Sequence, residues 1–228
     1  MVVKLKTKLA FDSLGDVVKH LGVSADRIRL DPLPGTATVR DLIRIQDREN
    51  RNFELIDGIL VEKVMGAKES FIALKLAHFL QTFLDLYDLG FLFGADGALR
   101  ILPRLVRIPD LSFISWEQRP DYTVPDEPVP DLAPSLAIEV LSEGNTNAEM
   151  KRKLRDYFRS GVKAVWLIDQ STRSARMYAS PTEFHEIGED EELTGGDVLP
   201  GFKVRLGLLS AHLGKAKKAA KRKRTNGK

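Results

Sequence analysis

Two carboxylates stand in apolar surroundings from which charged side chains are normally excluded. Glu139 interrupts the apolar run Leu136–Leu141, and Asp110 follows Pro109 directly before the apolar segment Leu111–Ile114. A buried ionised carboxylate is costly unless it is paired with a positive charge or binds a cation. We therefore predict that Glu139 is either half of a buried salt bridge with an arginine or a ligand of a metal ion.

Asp110 taken alone is also explained by turn chemistry, because an Asp after proline commonly starts a strand. On two adjacent buried strands, however, Asp110 and Glu139 would repel each other unless a cation or a proton lay between them. Hard oxygen ligands suit magnesium or manganese better than zinc. A metal held by carboxylates and water can activate a water for attack on phosphorus. The pair therefore favours a metal-dependent phosphodiesterase site.

Sites of this kind usually add a cation that stabilises the anionic transition state. The predicted helix after Glu139 offers Lys151, Arg152 and Lys153. At about 100° per residue, Lys151 and Lys153 flank the apolar stripe of this helix on opposite edges, while Arg152 points outward. Periodicity does not choose between the two lysines, and both could instead extend along the edge of the core with their ammonium groups in water.

The elements that must position these residues alternate between helices and strands. A hairpin is predicted around the turn dipeptide Asp57-Gly58, and a long amphipathic helix is predicted to end at Gly90. A capping box of Thr146 and Glu149 begins the helix after Glu139. The order predicts one α/β domain with a mixed sheet. The predicted helices are residues 11–22, 38–49, 69–86 and 147–160, and the predicted strand regions are 53–63, 91–102, 108–116, 135–142, 162–169, 174–180 and 183–188.

The composition indicates an ordinary soluble globular protein, with 43% hydrophobic and 29% charged residues. The absence of cysteine excludes disulfides, thiolate zinc sites and a cysteine nucleophile. No Gly-rich phosphate loop and no i, i+4 histidine pair is present. No apolar run approaches the roughly 20 residues that span a bilayer, and the N-terminus does not resemble a secretory signal. We therefore expect a cytoplasmic protein with no membrane attachment.

The positive charge is concentrated at the C-terminus. Residues 214–228 contain eight lysines and arginines and no acid, so removing those eight charges from the net +3 leaves −5 for the remainder. Such a block is usually disordered. It either attracts nucleic acid by neutralising phosphates or is a solvated terminus that promotes solubility. The candidate nucleic-acid contacts are Lys215, Lys217, Lys218, Lys221, Arg222, Lys223 and Arg224.

Seven segments spread over most of the chain form a specific set, although any one of them alone would be a weak signal. They are FELIDG (53–58), MGAKES (65–70), Pro109-Asp110, EVLS (139–142), EMKRKLRDYF (149–158), GVKAVWLID (161–169) and VLPGF (198–202). Together they resemble the Uma-type putative restriction endonuclease family, within the PD-(D/E)XK nuclease superfamily. The resemblance runs from about Leu21 to Leu209 and covers most of the chain.

The resemblance implies a role for particular residues. Asp110 matches the Asp of the PD motif and Glu139 matches the acidic residue of the second half-motif. The usual lysine two residues later is absent, because Leu141 stands there, and Lys153 matches a lysine that has moved onto the following helix. Glu54 matches a further acid near the metal, although a hairpin Glu is equally explained as a surface residue.

The fold implied is a restriction-endonuclease-like α/β core, with a central mixed β-sheet flanked by helices and an N-terminal helical extension. The expected domains are residues 1–50 as the extension, 51–210 as the nuclease-like domain and 211–228 as the basic tail. The expected function is a magnesium- or manganese-dependent endonuclease acting on DNA, for which a homodimer is compatible with double-strand cleavage. Asp110, Glu139 and the Val140 carbonyl would bind the metal, Lys153 would orient water or stabilise charge, and Glu54 would act as a ligand or base.

Two other readings use the same residues. In the first, the chain is a nuclease-fold module that binds nucleic acid or a partner with little catalysis. In the second, it is a structural homodimer whose buried acids pair with arginines, which would appear as contacts between Glu139 and arginine with no space for a cation. Retention of Asp110, Glu139 and Lys153 together favours the nuclease.

Overall fold

The computed structural model describes residues 11–211 and residue 213. Within them, helices pack against β-sheets, as the alternating sequence pattern predicts. None of the helices in this described part is both long and apolar enough to cross a membrane. The helices are α1 (Leu14–Leu21), α2 (Val39–Glu49), α3 (Ala67–Tyr87), α4 (Asn147–Arg159) and α5 (Gly207–Ser210).

The strands of the described chain form a six-stranded sheet, a four-stranded sheet and a small hairpin. The six-stranded sheet has the order β10-β9-β8-β7-β6-β3 and is mixed, because β7 and β8 run parallel while its other neighbours are antiparallel. The four-stranded sheet has the order β2-β1-β5-β4, and β11 pairs with β12. The strands are β1 (Phe53–Ile56), β2 (Ile59–Glu62), β3 (Gly90–Phe93), β4 (Leu99–Leu102), β5 (Leu105–Arg107), β6 (Leu111–Ser115), β7 (Leu136–Leu141), β8 (Ala164–Asp169), β9 (Ser174–Tyr178), β10 (Phe184–Gly188), β11 (Glu192–Thr194) and β12 (Lys203–Arg205).

Local chemistry explains where the elements begin and turn. The Thr146 hydroxyl accepts a hydrogen bond from the Glu149 N–H at the start of α4, so the predicted N-terminal cap is present. Asp57 and Gly58 both have positive φ and connect β1 to β2 as the predicted two-residue turn. The turn fixes the register of β1 on β2, and the cap fixes where α4 begins after β7.

Three apolar clusters separate the layers. One lies between α3 and one face of the six-stranded sheet. A second lies between the opposite face of that sheet, helices α1 and α4, and the inner face of the four-stranded sheet. The third lies between α2 and the outer face of the four-stranded sheet. Helix α4 therefore lies between the two sheets, and its inward side chains contact both.

The sequence-based elements differ from the structure in detail. The long helix ends at Tyr87, with Asp88 in a left-handed conformation, and Gly90 begins β3 instead of ending the helix. Strand β5, the hairpin β11–β12 and the short helix α5 were not predicted, because their three- and four-residue lengths leave too little periodicity to recognise. The domain boundaries at residues 50 and 210 stay predictions, and the basic tail lies outside the described residues.

Candidate active site

The candidate site lies where the chain passes from the four-stranded sheet to the six-stranded sheet. Strand β5 ends at Arg107 and β6 begins at Leu111, so Asp110 occupies the crossing point. The Asp110 N–H donates to the Ile138 carbonyl (3.0 Å), which holds the crossing segment against β7. Because side chains alternate along β7, Glu139 faces α4 together with its neighbours Ala137 and Leu141.

Glu139 is held by two side chains of α4. Lys153 Nζ lies 2.8 Å from each carboxylate oxygen, and the Tyr157 hydroxyl donates to Oε1 at 2.5 Å. All three residues are buried. Positions 153 and 157 are one helical turn apart, so a single face of α4 supplies both partners. The structure thus pairs Glu139 with a lysine, where the structural-homodimer reading required an arginine.

Asp110 is held from two sides. Its Oδ2 accepts the Val140 N–H at 2.6 Å, and its Oδ1 lies 2.7 Å from Lys63 Nζ. The Lys63 ammonium also donates to the Ile108 carbonyl. Both carboxylate oxygens therefore have partners, and the nearest positive charge comes from the connection that follows β2.

Glu54 lies at the inner face of β1 and is also buried. Its Oε2 accepts from Arg107 Nη1 at 2.7 Å, its Oε1 accepts the Ile108 N–H at 3.1 Å, and Lys153 Nζ lies 3.6 Å from Oε1. Arg107 also donates to Asp156 of α4. Lys153 and Arg107 therefore join the carboxylates of both sheets to α4.

Charge pairing in this cluster determines which groups are ionised. Burial alone would raise the pKa of Glu54, but the positive charges of Lys153, Arg107 and Lys63 outweigh it and lower that pKa to about 2. Burial opposes the charge of Lys153, but the carboxylates of Glu139 and Glu54 raise its pKa above the ordinary value. Lys153 is therefore a hydrogen-bond donor and a positive charge at neutral pH, and Glu54 is an anion.

For Tyr157, burial and the neighbouring charge of Glu139 act in the same direction. Burial first, and then the negative charge of Glu139, raises the pKa of the Tyr157 phenol well above its ordinary value. The phenol therefore keeps its proton and remains a donor to Glu139 throughout the neutral range.

A small cavity connects these residues to the surface. Its volume of about 20 Å³ holds about one water molecule. Asp110, Glu139 and Lys153 line it together with Lys63 and Glu69. A larger groove of about 800 Å³ adjoins it and shares Arg27, Val64, Glu69, Ser142 and Asn145 as lining residues. The groove gives a larger molecule access to the cavity.

The carboxylate oxygens at the cavity are of the kind that would suit a hard divalent cation. Among residues 11–211 and 213, no three acidic or histidine side chains lie close enough together to form an all-protein metal cage. Magnesium usually binds one or two carboxylates and keeps several waters, so such a cage is not required. Asp110 and Glu139 would supply the two carboxylates, and each already contacts an ammonium group, Lys63 on Asp110 and Lys153 on Glu139.

The structure brings most of the sequence-predicted site residues together. Lys153 is buried against Glu139 and Glu54, whereas Lys151 is exposed, so tertiary packing separates the two lysines that periodicity left equivalent. Val140 contributes its N–H to Asp110, and the role predicted for its carbonyl stays a prediction. The predicted nucleic-acid contacts of the basic tail lie outside the described residues; they are Lys215, Lys217, Lys218, Lys221, Arg222, Lys223 and Arg224.

Sequence reasoning missed several residues that contact the site, four of which bear charged or hydroxyl groups near the carboxylates. Lys63, Glu69, Arg107 and Tyr157 all touch the carboxylates or line the cavity. Alternation could have indicated Lys63, because it continues the inward set of Ile59 and Val61 on β2. The apolar stripe of α4 contained Tyr157, but a helical pattern does not show which strand residue its hydroxyl reaches.

Comparisons with known proteins agree with this architecture. The family model Uma2, described as putative restriction endonuclease, matches residues 39–209. Four chains of solved structures match. One is a putative nuclease belonging to DUF820 from Anabaena variabilis ATCC 29413, with 17% sequence identity and a TM-score of 0.63 over 71% of this chain and 91% of that chain. No curated protein matches.

The solved structure has the same fold, and this confirms the predicted α/β core with a central mixed sheet flanked by helices. The family model covers three quarters of the chain and confirms the resemblance predicted from the sequence segments. The family description supports nuclease function, that is, hydrolysis of phosphodiester bonds. The chain therefore belongs to the Uma2 family, described as putative restriction endonuclease.

Proposed function

We propose that this protein is a metal-dependent nuclease that hydrolyses phosphodiester bonds in DNA, with Asp110 and Glu139 as metal ligands and Lys153 as the catalytic cation. One observation carries the proposal. Asp110 comes from the crossing segment, Glu139 from β7 and Lys153 from α4, and all three line one small cavity beside a groove. Separate elements converge here on charged groups that a purely structural core would avoid.

Asp110 and Glu139 would hold magnesium or manganese, which supplies an activated water and neutralises charge on the scissile phosphate when bound. Lys153 keeps its proton, so it donates a hydrogen bond to the attacking water or to a phosphate oxygen and stabilises the added negative charge. Glu54 stays ionised and contacts Lys153 and Arg107. Its role in this proposal is to position Lys153, because a carboxylate with a pKa of about 2 is a weak base.

The substrate would approach along the groove next to the cavity. In-line attack by water on phosphorus breaks the bond to one ester oxygen, and the leaving oxygen takes up a proton from solvent. The groove carries Arg27, Lys68 and Arg176 along with several acids, so its walls do not supply a strongly positive surface. The basic tail would add affinity for phosphates by releasing counterions. Its candidate contacts are Lys215, Lys217, Lys218, Lys221, Arg222, Lys223 and Arg224.

The test is cleavage of supercoiled plasmid DNA with magnesium or manganese. Asp110→Ala and Glu139→Gln remove proposed ligands, and we expect a loss of about 10²-fold or more. Lys153→Ala removes the charge beside the phosphate, and we expect a loss of about 10² to 10³-fold with metal binding retained. Lys151→Ala is the matched control, because it removes an exposed lysine from the same helix, and its activity should equal wild type.

Equal cleavage by wild type and the Asp110 and Glu139 variants would contradict the proposal and point to a contaminating nuclease. If wild type and variants are all inactive on DNA and RNA with either metal, the alternative of a catalytically weak binding module takes the lead. The full ion pairing of Asp110 and Glu139 favours that alternative. DNA retention on a filter in the absence of cleavage would then measure its binding.

A further inference from the structure

Lys63 occupies the face of Asp110 that a metal ion would need. Its ammonium lies 2.7 Å from Asp110 Oδ1 and also donates to the Ile108 carbonyl. The two side chains are 8% and 7% exposed, so water screens their attraction little. Oδ2 already accepts the Val140 N–H, which leaves Oδ1 as the oxygen over which an ammonium and a metal would compete.

The space around this pair does not accommodate both cations. The cavity holds about one water molecule, and Lys63 is among the residues that line it together with Asp110 and Glu139. A divalent ion on Asp110 Oδ1 would lie within a few ångströms of the ammonium and repel it. Binding of one cation at Asp110 therefore excludes the other.

The backbone around Lys63 allows its side chain to leave. Residues 63–66 form the connection between β2 and α3 and belong to neither element. The next residue, Val64, is 65% exposed and lines both the cavity and the groove. A displaced Lys63 side chain would thus reach the groove mouth, where a substrate phosphate would lie in the proposed function.

We propose that Lys63 is an internal counter-cation that occupies Asp110 in the metal-free protein, is displaced when the metal binds, and then contacts a phosphate of the substrate. The inference rests on the proposed nuclease function and deepens it. It assigns one lysine to two successive anions, first a carboxylate and then a phosphate. If the ion pair only stabilised the fold, a variant that keeps the positive charge, such as Lys63→Arg, would bind the metal with unchanged affinity.

The first experiment measures Mn²⁺ and Ca²⁺ binding by titration calorimetry without substrate. Lys63→Met removes the competing charge while keeping the length of the side chain, so we expect metal binding about tenfold tighter or more. Lys63→Arg keeps the charge and pairs more firmly with a carboxylate, so we expect weaker binding than wild type. Lys68→Met, a lysine of the same groove that lies outside the small cavity, is the control and should match wild type.

The second measurement is thermal unfolding with and without metal. Without metal, Lys63→Met should unfold at a lower temperature than wild type, because Asp110 loses its partner. When Mn²⁺ is added, the unfolding temperature of Lys63→Met should rise by more than that of wild type. If Lys63→Met does not fold without metal, the affinity order of wild type and Lys63→Arg still decides the question. Equal metal affinity in wild type and Lys63→Arg would then overturn the competition.

The phosphate contact has its own readout. In Ca²⁺, used to permit binding with slow cleavage, Lys63→Met should bind a short DNA duplex several-fold more weakly than Lys151→Met, which alters an exposed lysine outside the groove. Without metal the two variants should bind alike. Equal duplex binding by both variants in Ca²⁺ would overturn the phosphate contact.

The outcomes separate this inference from the proposed function. Wild type that binds metal and cleaves DNA, with identical metal affinity in all Lys63 variants, overturns the competition and leaves the nuclease intact. Absence of metal binding in wild type and every variant overturns both. Metal binding that appears only in Lys63→Met supports the competition directly.

Discussion

The two faces of strand β7 have the same backbone and opposite chemistry. On one face Leu136, Ile138 and Val140 pack into an entirely apolar cluster beneath α3. On the other face Glu139 lies in a buried cluster of charges shared with α4. Both faces are excluded from water, so burial alone does not explain the difference.

The charged face is the more expensive of the two to fold. Replacing a buried ion pair by apolar residues is often neutral or stabilising, whereas removing one partner is strongly destabilising. A chain selected only for stability would therefore have no need of Glu54, Arg107 or Lys153 at this interface. The apolar face of β7 therefore stabilises the fold by burial alone, whereas the charged face carries the cost of buried ions, as the catalytic role proposed for it would require.

The largest expected effect comes from removing the most buried charge. Arg107→Met leaves Glu54 and Asp156 without their shared partner, and we expect a loss of about 3 to 5 kcal/mol in the free energy of unfolding. Urea denaturation measures it. Arg100→Met breaks a surface pair with Asp131 and is the control, expected to cost less than about 1 kcal/mol. Similar losses in the two variants would remove the distinction between buried and exposed pairs.

The pH dependence of stability tests the same cluster through Glu54. Its pKa is lowered from 4.5 in the unfolded chain to about 2, so its stabilising contribution is complete above pH 4.5 and is lost as the pH falls through 2. The contribution is about 3 kcal/mol. Glu54→Gln cannot titrate, so the stability of wild type should fall more steeply than that of this variant across that interval. Parallel curves would show that Glu54 is not held ionised by its neighbours.

A smaller effect is expected for the Tyr157 hydroxyl. Tyr157→Phe removes one hydrogen bond to the charged Glu139 while keeping the ring, and we expect a loss of about 2 kcal/mol in the free energy of unfolding. DNA cleavage should fall as well, because Glu139 loses one of its fixed partners. Unchanged cleavage would mean that Lys153 alone positions this carboxylate.

The smallest effect is expected on the apolar face. Ile138→Val removes one methylene from the cluster beneath α3, and we expect a loss of about 1 kcal/mol with DNA cleavage unchanged. For each variant, the loss of DNA cleavage is compared with the loss in the free energy of unfolding. We expect Tyr157→Phe to lose both and Ile138→Val to lose stability alone. A large activity loss in Ile138→Val would show that the faces are mechanically coupled.

Much of the scaffold could be predicted from local pattern. The cap at Thr146, the turn at Asp57-Gly58 and the apolar run around Glu139 each depend on neighbours within a few residues, and each is present in the structure. The predicted end of α3 at residue 86 lies one residue from its observed end at Tyr87, but Gly90, predicted to terminate the helix, begins β3 instead. The short hairpin β11–β12 lacked enough residues to show a period.

The candidate site was predicted only in part, because its pairings join distant positions. Arg107 reaches Glu54 and Asp156 across 53 and 49 residues. Lys63 reaches Asp110 only because β2 and the segment that follows it bring them to the same side of the sheet. No local period encodes such contacts.

The sequence by itself determined the longer helices and strands, the family resemblance and the presence of carboxylates in apolar strands, since each depends on residue type and short-range spacing. The tertiary structure alone decided which cation pairs with which carboxylate, buried Lys153 in place of Lys151, and put Lys63 on Asp110. The physical reason is that ion pairing in a buried site depends on distances of a few ångströms between elements, and these distances are set by how sheets and helices pack.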